Sequence, residues 1–341
     1  MAITLALSAN SKKTALINYC NVDGLIKNDN EIIGLNFTDS INSKKYHINS
    51  KVVINATGVF AEEIIRMDQP KIEKMIQPSQ GVHIVLERKF LKSKHAILIP
   101  QTSDGRVLFA VPWKDYVVVG TTDTHVKDAS EEPVPLKEEI DFILKNASKY
   151  MTIKPKREDI TSVFAGLRPL AATSNKQSTK EVSRSHKIDI SPSGLISVLG
   201  GKWTTYRKIA EDAINTAISI KKLKKKKCKT ERKKLYGFKK NVDWSDPMHV
   251  YGSMQKKVKS LGTKSDNKSL SNKFYISNNI IEWSIIHEMA LTVEDVLARR
   301  TRCVFLDSKE SKRIAPIVAK KMADVLGKDD KWIDAELKKF N

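Results

Sequence analysis

The sequence predicts an α/β protein that carries an antiparallel β-sheet and closes with an α-helical domain. Three observations predict it. The stretch SGLISVLGGKWTTYRKIAEDAINTA, Ser193 to Ala217, reads as a short apolar strand, a glycine turn and an amphipathic helix. Four β-rich runs, Val82 to Leu86, Ala96 to Pro100, Val107 to Val111 and Tyr116 to Gly120, are separated by turn signals such as Ser103-Asp-Gly and Lys114-Asp. Past a basic stretch, Ile280 to Arg302, Ile314 to Leu326 and Trp332 to Phe340 place apolar residues at helical spacing.

Taken in order, Ile3 to Leu16 is helix-compatible and Thr14 to Tyr19 reads as a strand. Asn21 to Lys51 alternates apolar and polar residues between turn signals at Gly24, Asn28-Asp-Asn and Gly34, which predicts a small antiparallel meander. Val52-Val-Ile-Asn-Ala-Thr-Gly is an apolar strand ending in a turn of small residues. Leu136 to Tyr150 predicts an amphipathic helix after Pro133 and Pro135. Gly166 to Leu170, Lys187 to Ile190 and Leu195 to Leu199 read as strands that return the chain to its first sheet.

At 341 residues the chain is long enough for two domains and a substantial core. None of its segments approaches the roughly 20 apolar residues of a membrane-spanning helix. The apolar Met1 to Leu7 has neither a basic leader nor a cleavage pattern. Cys20, Cys228 and Cys303 are scattered, so neither a disulfide framework nor a zinc spacing follows, which suits a reducing compartment. The net charge of +21 has its densest source in Lys221 to Lys240. That stretch reads as a solvated linker, with an anionic lipid surface as the functional alternative. No aromatic platform is interleaved with the lysines as single-strand nucleic-acid binding requires, so a nucleic-acid partner is not expected.

Gly200 and Gly201 lack a Cβ and allow both a sharp turn and a close approach of the backbone to a ligand. A strand, such a turn and a helix start converge free N–H groups and the positive end of a helix dipole on one spot, which favours an anion. Lys202 adds a full charge there, and Thr204 and Thr205 add hydroxyls suited to capping.

GGKWTTYR, together with AGLRPL (Ala165 to Leu170) and VINATG (Val53 to Gly58), resembles FAD-dependent glycerol-3-phosphate dehydrogenase, the quinone-linked or oxidase family rather than the soluble NAD enzymes. The resemblance runs from about Ile3 to the C-terminal helices. It implies an α/β flavoprotein: an incomplete FAD-binding Rossmann-type domain with an antiparallel β cap, plus a C-terminal α-helical domain. The boundaries expected are 1–58 for the end of the first FAD-binding segment and 59–165 for the substrate cap. Residues 166–220 then return to cap and FAD domain, 221–240 form a basic linker, and 241–341 form the helical domain. A dinucleotide fold opens with strand, GxGxxG and helix, and nothing in Met1 to Gly58 does. The expectation is a chain that starts midway through the FAD domain, from a truncated or split gene or as a fragment.

The resemblance also implies roles. Ala56, Thr57 and Gly58, with Gly200, Gly201, Lys202, Trp203 and Thr204, would contact FAD. Arg168 and Arg184 would bind a phosphorylated substrate, sn-glycerol 3-phosphate, through planar guanidinium forks, with Thr205 beside them. His83 would take the hydroxyl proton. Lys202 would offset negative charge on the reduced flavin. Electrons would pass to quinone, on a cytoplasmic protein or one resting peripherally on the inner face of the membrane, with homo-oligomerisation open. Two other readings remain: a catalytically inactive fragment or split-gene subunit, and another FAD-dependent hydroxyacid or amine oxidoreductase. Asp123 and His125 mimic metal ligands only by alternate spacing, so no metal is expected. Glu288, Asp295, Arg299 and Arg300 read as helix-surface and interhelix ion pairs rather than a catalytic cluster.

Overall fold

The computed structural model describes residues 1–10, 14–172 and 185–340. Helix α1 (Ala2–Ala9) precedes the antiparallel meander β1 (Cys20–Asn28), β2 (Glu31–Asp39) and β3 (Lys45–Asn49). The β1–β2 turn is made by Asp29 and Asn30, both at positive φ, the twist that a two-residue hairpin loop favours. The strand expected over Thr14 to Tyr19 does not form: Thr14 makes an isolated bridge and residues 15–18 have no regular structure. Tyr19 instead sits at φ 56° and sends its hydroxyl to Asp295 Oδ2, 2.7 Å away. That anchor to the C-terminal helices replaces a ladder.

Strand β4 (Ile54–Asn55) runs parallel to β12 (Ile196–Gly200), with Ile196 opposite Ile54, and β12 pairs antiparallel with β11 (His186–Ile190). This small sheet packs on α2 (Ala61–Asp68) through Val53, Ala61, Ile65, Leu195 and Leu199.

The cap sheet has the order β10-β5-β8-β7-β6. Its strands are β5 (Ile76–Glu87), β6 (Ile97–Ile99), β7 (Leu108–Trp113), β8 (Tyr116–Gly120) and β10 (Ile160–Ala171), and β9 (Thr124–His125) pairs with β5. Val82, Ile84 and Leu86 of β5 point to α3 (Lys137–Ala147), where they meet Ile143 and Ala147. Val85 points the other way, into the core of the C-terminal helices. Both faces of β5 are therefore covered, which explains a nearly unbroken apolar run where a one-sided strand would alternate.

Helix α4 (Tyr206–Ile220) follows β12. The basic stretch beyond it runs exposed, with one turn of 3₁₀ helix at Thr230–Arg232. The last third holds α5 (Gln255–Lys259), α6 (Asn278–Glu288), α7 (Cys303–Leu306), α8 (Ser308–Leu326) and α9 (Asp330–Phe340).

The continuous helix expected from Ile280 to Arg302 is broken. Met289 caps α6 in the left-handed region (φ 60°), and Asp295–Arg300 is π-helical. Asp295 and Arg300, five residues apart, form a buried ion pair at 2.6 Å, and Arg300 donates to the Glu288 carbonyl at 2.7 and 3.0 Å. A wider helical turn brings residues five apart onto one face. Arg299 instead pairs at the surface with Glu294. None of the helices formed by the described residues is long and apolar enough to cross a membrane.

Candidate active site

The strand β4 ends in a turn that Asn55 builds from inside. This residue is 3% exposed. Its Nδ2 donates to the Ala61 carbonyl (2.8 Å) and to Ser197 Oγ on β12 (3.2 Å). Its Oδ1 accepts from Thr57 Oγ1 (2.7 Å) and the Thr57 N–H (3.3 Å). An Asx side chain that binds the backbone two residues on is a local turn-former. The Thr57 hydroxyl is thereby committed to the turn, while Ala56 and Gly58 face outward into a cleft.

Gly200 and Gly201 end β12 at φ 67° and 89°. A Cβ on Gly201 would lie 2.7 Å from Ile209 Cδ1 and 3.2 Å from His186 Cβ, so both handedness and space require glycine. Past them Lys202 and Trp203 are exposed, and a single 3₁₀ turn, Trp203–Thr205, leads into α4. Thr205 Oγ1 donates to the Lys202 carbonyl at 3.0 Å, so this hydroxyl closes the turn.

The two turns meet in a cleft of about 440 Å³. Ala56, Gly58, Gly200, Gly201, Lys202 and Trp203 line it, with Pro169 and the Ile209, Ala213, Ile214 face of α4. Its wall is mostly apolar and Lys202 carries its cation. Thr57, Thr204 and Thr205 are not on that wall.

A second cluster lies on the β5–β10 ladder, where Phe164 pairs with His83, Gly166 with Gly81 and Arg168 with Ser79. The period of two sets these six on one face. Arg168 bends over Gly81: a Cβ there would lie 2.5 Å from Arg168 Nη2. The guanidinium donates to Thr121 Oγ1 and the Thr122 carbonyl, both at 3.2 Å, and lies 3.6 Å from the Asp123 carboxylate. Asp123 also accepts from Ser79 Oγ. Asp123 is thus an ion-pair partner, and His125 stands apart on β9, 3.4 Å from Gln77 Nε2.

His83 is pressed against Gly120, where a Cβ would come within 2.5 Å of its ring. It stacks on Phe164 with centroids 5.0 Å apart. Phe305 meets the other side of Phe164 edge-on at 4.9 Å, and the Arg302 guanidinium lies 4.5 Å from the Phe305 centroid. Burial, aided by the Arg168 charge, pushes the His83 pKa down to about 4. The imidazole is neutral at pH 7 and able to accept a proton.

Pro169 of the cleft directly follows Arg168 on β10, while neither Arg168 nor His83 is on the cleft wall itself. Arg184 lies outside the described residues. Sequence reasoning missed Asn55, whose signal was the Asn-Ala-Thr-Gly turn. It also missed the Thr121–Thr124 segment, whose alternation was weighed only for metal ligation.

Residues 1–207 match the family described as FAD dependent oxidoreductase, and residues 196–333 match the C-terminal domain of alpha-glycerophosphate oxidase. The chain belongs to the FAD-dependent oxidoreductase family. It is 32% identical over 364 residues to the mitochondrial glycerol-3-phosphate dehydrogenase of Mesocricetus auratus, covering 97% of this chain and 49% of that protein. It is 33% identical over 369 residues to the mitochondrial glycerol-3-phosphate dehydrogenase of Bos taurus, covering 99% and 50%. This FAD-dependent oxidoreductase chain therefore spans about half the length of the curated relatives it matches. The solved glycerol-3-phosphate dehydrogenase of Bacillus halodurans, complexed with FAD, superposes with a TM-score of 0.80 over 95% of this chain and 68% of that one, at 24% identity. That likeness establishes the shared fold: FAD-domain sheet, antiparallel cap and C-terminal helices.

Proposed function

We propose that this protein acts in the FAD-dependent oxidation of sn-glycerol 3-phosphate to dihydroxyacetone phosphate, with quinone receiving the electrons. The observation that carries the reading is the adjacency, along β10, of an apolar cleft with one lysine and a neutral histidine beside an arginine.

The cleft suits a flavin ring. Gly58, at φ 63°, has nothing within 4 Å of where a Cβ would project, so a side chain there would enter the space a flat ring needs. Gly58, Gly200, Gly201 and Trp203 would hold the ring, and Lys202 would face its polar edge. When bound, FAD supplies the two-electron acceptor. The chain's own residues do the rest. Arg168 supplies a planar cation for the phosphate. The His83 imidazole, neutral at pH 7, takes the hydroxyl proton.

A peripheral contact with anionic lipid is part of the proposal. The Lys221–Lys240 stretch is mostly exposed, and Phe238 within it and Trp244 just past it are 51% and 77% exposed.

The test is anaerobic titration of the full chain, reconstituted with FAD, by sn-glycerol 3-phosphate while the flavin absorbance is followed. Bleaching by this ester, with glycerol and hydroxyacids inert, is the expected result. A chain that retains no flavin, or is bleached equally by non-phosphorylated substrates, overturns the reading.

A further inference from the structure

Residues 121–124 alternate between two partners. Thr121 and Asp123 face Arg168, as described above. Thr122 and Thr124 face the opposite way, onto Glu139 of α3. Glu139 Oε1 accepts from Thr122 Oγ1 at 2.7 Å and Thr124 Oγ1 at 2.6 Å. Its Oε2 accepts from Gln80 Nε2 at 2.7 Å and from the Leu136 N–H, at the start of α3, at 3.0 Å. Thr122 Oγ1 in turn accepts from the Val82 N–H of β5 at 2.9 Å, one residue from His83.

Glu139 is 5% exposed and has no cation among the partners that hold it. Burial works against its charge, yet the four donors more than offset that and keep the carboxyl below the ordinary glutamate range. A buried carboxylate with its acceptor sites filled from β5, the 121–124 segment and α3 fixes those three elements relative to one another.

We infer that Glu139 is a positioning residue, which holds the 121–124 segment in the alternation that presents Thr121 Oγ1, the Thr122 carbonyl and Asp123 to Arg168. Glu139 touches neither substrate nor flavin; it sets the direction of the guanidinium through the segment between them. This inference rests on the reading of Arg168 as the phosphate anchor. A glutamine of the same shape must turn its amide nitrogen to the two threonine hydroxyls, which then accept instead of donate and lose the acceptor that Glu139 gave their own protons. The segment then slips, and the guanidinium loses its aim.

The experiment compares calorimetric binding of sn-glycerol 3-phosphate to the full chain at pH 7.5 for wild type, Arg168→Ala, Glu139→Gln and Asn146→Ala. Asn146 is a buried α3 residue that accepts from the Ser103 N–H at 3.1 Å and donates to the Phe142 carbonyl at 2.8 Å, away from Arg168. It reports what loss of α3 stability alone does. Expected are a loss of affinity of about tenfold for Glu139→Gln, a larger loss for Arg168→Ala, and no change for Asn146→Ala despite a lowered Tm. If Glu139→Gln binds as wild type while Arg168→Ala does not, the positioning role falls and the anchor stands. If Asn146→Ala weakens binding as much as Glu139→Gln, general stability explains the effect and the proposal is overturned. Should Arg168→Ala bind unchanged, or wild type not bind, the anchor reading itself fails and takes this one with it.

Discussion

His83 lies almost flat on Phe164, with ring planes 14° apart and centroids at 5.0 Å. Burial strips water from a proton on that imidazole and the charge of Arg168 repels it, and the pKa falls accordingly from 6.5 to about 4. The folded pKa is depressed, so the stabilising contribution is complete above the unfolded value and is lost as pH falls through about 4. Between pH 7.5 and 4.5 the wild type should lose about 2 to 3 kcal/mol more stability than His83→Gln. Urea unfolding at the two pH values checks it; equal losses would mean the imidazole is not held neutral.

The close approach of Gly120 to His83 makes a second prediction. A methyl group there meets the ring at 2.5 Å and the Val82 carbonyl at 2.9 Å. Gly120→Ala should cost about 1 to 3 kcal/mol and move the His83 titration, followed by NMR, up towards 6.5. A variant with the wild-type histidine pKa shows that the ring is not clamped by this glycine.

The cleft turns give a third. Gly201→Ala combines a positive φ with contacts at 2.7 and 3.2 Å, whereas Gly58→Ala meets open space at its positive φ. The first should lower stability by about 2 kcal/mol or more and the second by about 1. Both should lower the flavin that copurifies, measured by absorbance. Equal stability of the two variants would show that packing behind Gly201 is looser than described.

The buried pair in the helical region makes the fourth. Removing Asp295 leaves Arg300 charged and unpaired in a site where the two side chains are 4% and 6% exposed, and it also releases Tyr19. Asp295→Ala should cost about 3 to 5 kcal/mol. Arg299→Ala, at an exposed pair, should stay within about 1 kcal/mol. Calorimetric melting of both variants decides it; similar Tm values for the two would refute the distinction.

The legible parts of the chain were those where a local pattern and the tertiary environment agree. The meander, β8, β12 and α4 follow periodicity and turn residues, and Gly200-Gly201-Lys202 announced its own turn. The break at Met289 and the π-turn after it were not legible. Helical spacing continues through that stretch, and the widening is tied to a pair five residues apart that only the fold brings indoors. Tyr19 was misread for a related reason: its neighbours suit a strand, but its hydroxyl has a partner more than 270 residues away. Glu139 looked like one more polar residue on an amphipathic helix. Its Oε2 does accept from Leu136 in a capping arrangement, but the donors from β5 and from Thr122, past the end of β8, come from elsewhere in the chain and leave no trace at helical spacing.

The stack that begins at His83 does not end at Phe164. It continues edge-on to Phe305 and then to Arg302, both contributed by the helical third of the chain. That third serves as the buttress behind His83, the proton acceptor in the function proposed above. Repacking at Phe305 would loosen the floor on which the imidazole rests, so a raised His83 pKa is a route by which change in a remote helical unit reaches this strand.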